Sequence, residues 1–202
     1  MVKQKQKLNE CDFIDASEQL GVTVAIIKAV CEVEAPRGGF LRNGEPTILF
    51  ERHKFHQFTG GVYSKKRPDI SNPRPGGYLG YSQEHLRLQE AVALDREAAL
   101  KSASWGRFQI MGFNYKLCGF SNLQQFINAM YRSEKAQLDA FINFIKSVKL
   151  QDELQKMDWH GFAKSYNGKY YWKNHYARKL EKAYIKYRDE KLTNKKVQPQ
   201  RF

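Results

Sequence analysis

Two glutamates stand where the neighbouring sequence does not call for a solvent-exposed acid. Glu34 ends an apolar stretch with helical periodicity and precedes a glycine pair, Gly38 and Gly39. A carboxyl at the C-terminal end of a helix meets the negative end of the helix dipole, and partial burial adds a desolvation cost. Both effects raise the pKa of the carboxyl, as a general acid requires. A solvated glutamate at a helix end fits the same local sequence.

The second glutamate, Glu51, follows a short apolar segment that ends at Phe50. This segment is prone to form a β-strand, so the carboxylate is expected to emerge at a strand end instead of on an open surface. A structural role is the alternative, in which Glu51 pairs with Arg52 or Arg37. The local sequence leaves both interpretations open.

Two further segments are rich in aromatic and amide side chains and in glycine, at residues 103–115 and 163–171. Aromatic faces stack on the apolar faces of sugar rings, while amides bind hydroxyl and N-acetyl groups. The composition is therefore typical of a sugar-binding site. Aromatic residues of a hydrophobic core would give the same pattern.

The elements that must position these segments are mostly helical. Phe13, Ala16 and Leu20 form one apolar stripe that ends at Gly21, and Thr23 can cap a second helix that stops at Pro36. Further helices are predicted over residues 82–101, 122–130, 133–148, 159–166 and 175–191.

Only residues 46–50 are convincing as a β segment, and residues 60–81 are predicted to form a long loop. The fold class is therefore α+β, mainly α. We predict one domain over residues 10–191, with a flexible basic N-terminus at 1–9 and a flexible basic tail at 192–202.

Composition narrows the classes of partner. The 202 residues include 34 Lys and Arg against 21 Asp and Glu, a net charge of +13, which favours an anionic partner. Residues 164–202 alone hold 12 basic and 3 acidic residues. No apolar run is long enough for a membrane helix, and the N-terminus lacks the apolar core of a signal peptide. Three cysteines without C-x-x-C spacing are expected to be free thiols, with no zinc site.

Four spaced motifs carry a family resemblance. They are, in order, Val33-Glu34, Leu49-Phe50-Glu51-Arg52-His53, Ser104-Trp105-Gly106-Arg107-Phe108-Gln109-Ile110-Met111-Gly112 and Tyr166-Asn167-Gly168. This order resembles the lysozyme-like superfamily of goose-type lysozymes and lytic transglycosylases. The closer resemblance is to the N-acetylmuramidase domain of bacteriophage endolysins, and it covers roughly residues 10–187.

The resemblance implies a lysozyme-like domain with a small β-hairpin beside a helical lobe, and no metal or cofactor. It implies that Glu34 is the catalytic acid and that Glu51 is a second carboxylate, oriented by His53 and Arg52. The substrate-binding residues that it implies are Gln109, Ile110, Met111, Tyr166, Asn167 and His53.

The implied reaction is hydrolysis of the β-1,4 bond between N-acetylmuramic acid and N-acetylglucosamine in the glycan strands of peptidoglycan. Two alternatives stay open: a lytic transglycosylase that forms 1,6-anhydromuramyl products, and a non-catalytic basic protein that binds nucleic acid. The leading interpretation implies no nucleic-acid partner and a monomer. It places the protein in the host cytoplasm before release to the cell wall, with a basic C-terminal helix that can bind anionic outer-membrane or wall polymers.

Overall fold

The computed structural model describes residues 5–34, 38–168 and 171–196. These residues form ten α-helices and three short β-strands, which confirms the α+β, mainly α class. The helices are α1 Glu10–Leu20, α2 Val24–Glu34, α3 Arg52–Phe58, α4 Tyr81–Leu94, α5 Arg96–Lys101, α6 Leu123–Arg132, α7 Glu134–Ser147, α8 Gln151–Gln155, α9 Trp159–Asn167 and α10 Tyr176–Lys196. The strands are β1 Ile48–Phe50, β2 Ala103–Trp105 and β3 Ile110–Met111.

The chain divides into two compact units, and neither is continuous in sequence. The sheet unit falls within residues 1–7 and 37–144, and the helical unit within residues 8–36 and 145–202. The predicted domain limits at residues 10 and 191 stay a prediction. The backbone of α10 is helical as far as Lys196, beyond the helix end predicted at residue 191.

The first two helices of the helical unit form for local reasons that the sequence displays. Asn9 caps α1 by accepting from backbone N–H groups, and Asp12 completes a capping box. Gly21 ends α1 in the left-handed conformation, at φ 64°, as predicted. Helix α2 buries Ile26, Ile27 and Val30, and it packs on α10.

The sheet corrects the sequence analysis, which found only one β segment. Strand β1 pairs antiparallel with β2, and β2 pairs antiparallel with β3. Strands β2 and β3 come from the aromatic segment at residues 103–115. With three and two residues they are too short to show the alternation that identifies a strand. Strand β2 exists because β1 supplies a hydrogen-bonding partner that is distant in sequence, and β3 then pairs with β2.

The helix predicted over residues 82–101 is two helices, α4 and α5. Asp95 lies between them in an extended conformation, and its carboxylate accepts from the Ala98 N–H at 2.9 Å, which caps α5. Helices α3 and α8 were not predicted. The long loop predicted over residues 60–81 is confirmed, since no helix or strand lies between α3 and α4.

Large aromatic side chains fill the core of the sheet unit. Trp105, Phe50 and Phe55 are fully buried, and Phe108 stacks on Phe141 with ring centroids 4.3 Å apart. The core interpretation therefore holds for Trp105 and Phe108. Across the described residues, no helix is both long and apolar enough to cross a membrane.

Candidate active site

Glu34 lies in the helical unit as the last residue of α2, and its side chain is partly buried. The sequence predicted this position at a helix C-terminal end. The last carbonyl groups of a helix lack intrahelical partners and carry the negative end of its dipole. A carboxyl at this place is more easily kept protonated than one at a helix N-terminus.

A second acid in the same last turn is tied to the C-terminal helix. Lys186 Nζ donates to Glu32 Oε2 at 2.7 Å, and the Tyr187 hydroxyl donates to the same oxygen at 2.6 Å. The hydrogen bond from Lys186 and then that from Tyr187 lower the pKa of Glu32. Glu32 is therefore an ionised anchor between α2 and α10, and the 154 residues that separate it from Lys186 explain why the sequence did not reveal it.

Tyr166 lies on α9, also in the helical unit. Its ring is partly buried and stacks on the fully buried ring of Phe162, with centroids 5.6 Å apart and planes at 7°. Asn167 is the last residue of α9, and its side chain lies outside the part of the chain that the structure describes. Sugar binding by this pair stays a prediction.

Glu51 lies in the sheet unit, between β1 and α3. Its backbone N–H donates to the Ser102 carbonyl at 3.0 Å, which continues the sheet pairing beyond β1. The carboxylate accepts from the Tyr78 hydroxyl at both oxygens, at 2.9 and 3.0 Å. His53 Nδ1 lies 3.1 Å from Glu51 Oε2, without hydrogen-bond geometry. Of the side chain of Glu51, 15% is exposed, so the carboxylate is held but still reachable.

Tyr78 is a residue of this site that sequence reasoning missed. Burial, followed by the hydrogen bond and charge of Glu51, raises the pKa of Tyr78 to about 12. The hydroxyl is thus a neutral donor throughout the physiological range. Tyr78 follows Gly76 and Gly77 in the long loop, and 27 residues separate it from Glu51, so the sequence carried no signal of this contact.

Arg52, which was expected to orient Glu51, instead holds the long loop. Its Nε donates to the Arg74 carbonyl at 3.0 Å and its Nη2 to the Pro75 carbonyl at 3.2 Å. Among the described neighbours of Glu51, Tyr78 donates to the carboxylate, whereas His53 lies beside it without a hydrogen bond.

Gln109 holds the turn between β2 and β3. Its Nε2 donates to the carbonyls of Thr47 at 3.2 Å and Gly106 at 2.9 Å, and its Oε1 accepts from the Ser104 hydroxyl at 2.8 Å. Both amide hydrogens are thus used within the sheet unit. The backbone of Gln109 is left-handed, at φ 49°.

Ile110 and Met111, the other predicted sugar contacts of this segment, form β3. Ile110 pairs with Trp105 and is buried, whereas Met111 pairs with Ser104 and is partly buried. The sheet thus links this segment to the strand that leads to Glu51. The helical unit holds Glu34 and Tyr166.

Within the described residues, no group of three or more His, Cys, Asp or Glu side chains could hold a metal ion. Cys11, Cys31 and Cys118 are free thiols, as predicted. Cys11 is exposed and the other two are buried, and burial raises the pKa of Cys118 to about 12.

Comparison with known proteins adds independent information. The family model described as "Muramidase: N-acetylmuramidase" matches residues 23–188. The crystal structure of the Burkholderia AP3 phage endolysin superposes with a TM-score of 0.87 at 38% sequence identity, covering 93% of this chain and 74% of that chain. No curated protein matches. The matched family region includes Glu34, Glu51, Gln109 and Tyr166.

Proposed function

This chain belongs to the N-acetylmuramidase family, a family of glycoside hydrolases, and from that premise we propose that it hydrolyses the β-1,4 bond between N-acetylmuramic acid and N-acetylglucosamine. Its substrate is then the glycan strand of bacterial peptidoglycan. The observation that carries the proposal is the place of Glu34 at the C-terminal end of α2, inside the region that matches the family.

Glu34 is the general acid in this proposal. It protonates the glycosidic oxygen as the bond from that oxygen to the anomeric carbon breaks, so the leaving sugar departs as a neutral alcohol. The anomeric carbon then has oxocarbenium-like character, and a water molecule attacks it.

Glu51 is the second carboxylate and takes a proton from that water. The new bond joins the water oxygen to the anomeric carbon. Glu34 has then lost one proton and Glu51 has gained one, so the total number of protons is unchanged. Tyr78 is a neutral donor to Glu51, and a carboxylate has about four acceptor positions, so positions remain for a water molecule. The 15% exposure of the Glu51 side chain supports access.

Substitution of Glu34 by Gln tests the proposal, because the amide keeps the shape but has no proton to donate. General acid catalysis contributes about 10²- to 10⁴-fold, and we expect a loss of that size on purified peptidoglycan. Glu32→Gln is the matched control, since it makes the same chemical change two residues earlier on α2. Retention of more than about a tenth of the activity in Glu34→Gln, against the expected loss, would remove Glu34 from the mechanism.

Mass spectrometry of the digested peptidoglycan tests the reaction type. Hydrolysis leaves a reducing N-acetylmuramic acid, whereas a lytic transglycosylase leaves the 1,6-anhydro form, which is lighter by one water molecule. Hydrolysis is the expected result because the chain carries a held carboxylate at Glu51. Anhydro products would establish the transglycosylase alternative.

The basic end of the chain supports a second partner for the same protein. Arg178, Lys179 and Lys182 are exposed on α10, while Ala177, Leu180 and Ala183 are buried. The exposed face can bind anionic polymers of the wall or the outer membrane and concentrate the enzyme at its substrate. Lys186 is engaged with Glu32 and has another role.

A further inference from the structure

The contact between Tyr78 and Glu51 joins a strand end to a long irregular loop. Tyr78 is 46% exposed, and 27 residues separate it from Glu51. An exposed loop side chain gains little from packing, and ordering it costs conformational entropy. Contacts beyond those of the Tyr78 ring must therefore hold the loop in place, so that the hydroxyl of Tyr78 stays bound to the carboxylate of Glu51.

Glu84, a fully buried residue of α4, meets this requirement. Its Oε2 accepts from the Phe50 N–H at 3.0 Å, and its Oε1 accepts from the Leu79 N–H at 2.9 Å. Phe50 directly precedes Glu51, and Leu79 directly follows Tyr78. The carboxylate of Glu84 thus binds the backbone N–H of the residue before Glu51 and the backbone N–H of the residue after Tyr78.

A buried charge of this kind needs compensation, and Arg87 supplies it. Arg87 Nη1 donates to Glu84 Oε2 at 2.8 Å and to the Phe50 carbonyl at 3.3 Å. Its Nη2 donates to the Asp69 carbonyl at 3.3 Å. The ion pair is therefore bonded to the strand end and, through Asp69, to the middle of the loop.

Arg52 provides a further link between the end of β1 and the long loop. This residue directly follows Glu51, and it donates to the carbonyls of Arg74 and Pro75, a few residues before Tyr78. Gly77 has a φ of 77°, and a Cβ there would lie 2.9 Å from Arg52 Nη1. The positive φ favours glycine at this position, and any larger residue would also displace the guanidinium.

We propose that Tyr78 is a positioning residue for Glu51, and that Glu84 fixes the pair by binding the backbone before Glu51 and the backbone after Tyr78. This inference rests on the proposed role of Glu51. The one hydrogen of the hydroxyl is shared by the two carboxylate oxygens, so it holds both of them turned towards Tyr78. Loss of that orientation lowers kcat and leaves KM nearly unchanged, because the interaction does not involve substrate binding.

The first experiment measures kcat and KM of the full chain on soluble peptidoglycan fragments. Tyr78→Phe removes only the hydroxyl. Glu84→Asp keeps the charge and the ion pair with Arg87 but withdraws the carboxylate by one methylene, so it cannot hold both N–H groups. We expect kcat to fall about 10-fold or more in each variant, which is the effect of losing a hydrogen bond to a charged group. The double variant should be little worse than either single variant.

Asp95→Ala is the matched control for lost stability. It removes the cap of α5 in the same unit and has no contact with Glu51. We expect it to lower the melting temperature and to leave kcat unchanged at a temperature where it is folded. A fall of kcat in Asp95→Ala equal to that in Glu84→Asp would overturn the inference, as would multiplicative effects of Tyr78→Phe and Glu84→Asp.

The second experiment does not depend on activity. The ionisation of Tyr78 is followed by NMR with ¹³C-labelled tyrosine, and Tyr78→Phe assigns the signal. The charged side chains that act on Tyr78 are Glu51, which raises its pKa, and Arg87, which lowers it. We expect Glu84→Asp to lower the pKa of Tyr78 from about 12, because the contact with Glu51 is weakened. An unchanged value would overturn the inference.

A variant without the buried charges covers the case in which Glu84→Asp does not fold. Glu84→Gln combined with Arg87→Met removes both charges at similar volume, a replacement that buried ion pairs often tolerate. Loss of the Arg87 charge raises the pKa of Tyr78 and loss of the Glu84 charge lowers it, so these two effects oppose each other and a large fall reports the broken contact with Glu51. If Glu51→Gln keeps full activity while the NMR result holds, the proposed role of Glu51 fails and the structural inference stands.

Discussion

Replacement of Gln109 separates a residue that holds the sheet from one that binds sugar. Gln109→Ala removes three hydrogen bonds, from Nε2 to Thr47 and Gly106 and from Ser104 to Oε1. At about 0.5–1.5 kcal/mol each, their loss should lower the free energy of unfolding by about 1.5–4.5 kcal/mol.

The backbone conformation of Gln109 allows a second substitution, to glycine, whose effect on stability partly offsets the loss of the hydrogen bonds. At φ 49° a residue with a Cβ is strained by about 1 kcal/mol or more, and glycine is not. Gln109→Gly loses the same three hydrogen bonds but relieves the strain. The glycine variant should therefore be about 1 kcal/mol more stable than the alanine variant.

Unfolding in urea, followed by tryptophan fluorescence, measures both values, and Gln83→Ala on an exposed face of α4 is the control. That control should stay within about 0.5 kcal/mol of the wild type. Activity is measured at a temperature where each variant is folded. If Gln109→Ala lost its activity but less than about 1 kcal/mol of stability, the amide would be a substrate contact and the reasoning here would be wrong.

Three other outcomes are expected. Glu32→Gln should cost about 1 kcal/mol or less at neutral pH, since the pair with Lys186 is half exposed. Because the pKa of Glu32 is lowered, the stability that its ionised form contributes is present above the usual pKa range of glutamate and is lost as pH falls through the lowered pKa. A difference in stability between Glu32→Gln and wild type that persisted in strong acid would contradict this prediction. Charge reversal at Lys179 and Lys182 should reduce lysis of intact cells but not hydrolysis of a soluble, uncharged chitooligosaccharide. Added salt should have the same effect, because it screens charges beyond about 8 Å. If both substrates were equally sensitive, the positive charge would serve solubility and not substrate binding. A thiol reagent should modify Cys11 alone in the native protein, and the two buried thiols only after unfolding.

Most of the helices, though not α3 and α8, were predictable because their signals are local. The stripe of α1, its stop at Gly21 and the place of Glu34 at a helix end all follow from residues within one or two turns. The break at Asp95 was missed, although its signal is also local, since aspartate is a favoured helix cap. The roles of Glu34 and Glu51, in contrast, came from a family resemblance and not from local physics.

Features that depend on distant residues were not predictable. Strand β2 is defined by pairing with β1, more than 50 residues earlier in the chain, and β3 in turn pairs with β2. From the sequence, Glu84 is expected to be a solvent-exposed acid on a helix, because glutamate is rarely fully buried. The residues next to it in the sequence do not show that two backbone N–H groups and Arg87 bind its carboxylate. Tyr78 lies in a loop without periodicity, so its contact with Glu51 left no pattern.

The pairing of α2 with α10 has a consequence for synthesis. A ribosome releases the N-terminal part of the chain first, so the apolar side chains of α2 leave the tunnel long before α10 exists to cover them. The helix that ends in Glu34 therefore gains its native partner only after α10 has been synthesised. Truncation before Leu180 would remove that partner from every molecule, and the product would be a target for chaperones and proteases instead of a shortened enzyme.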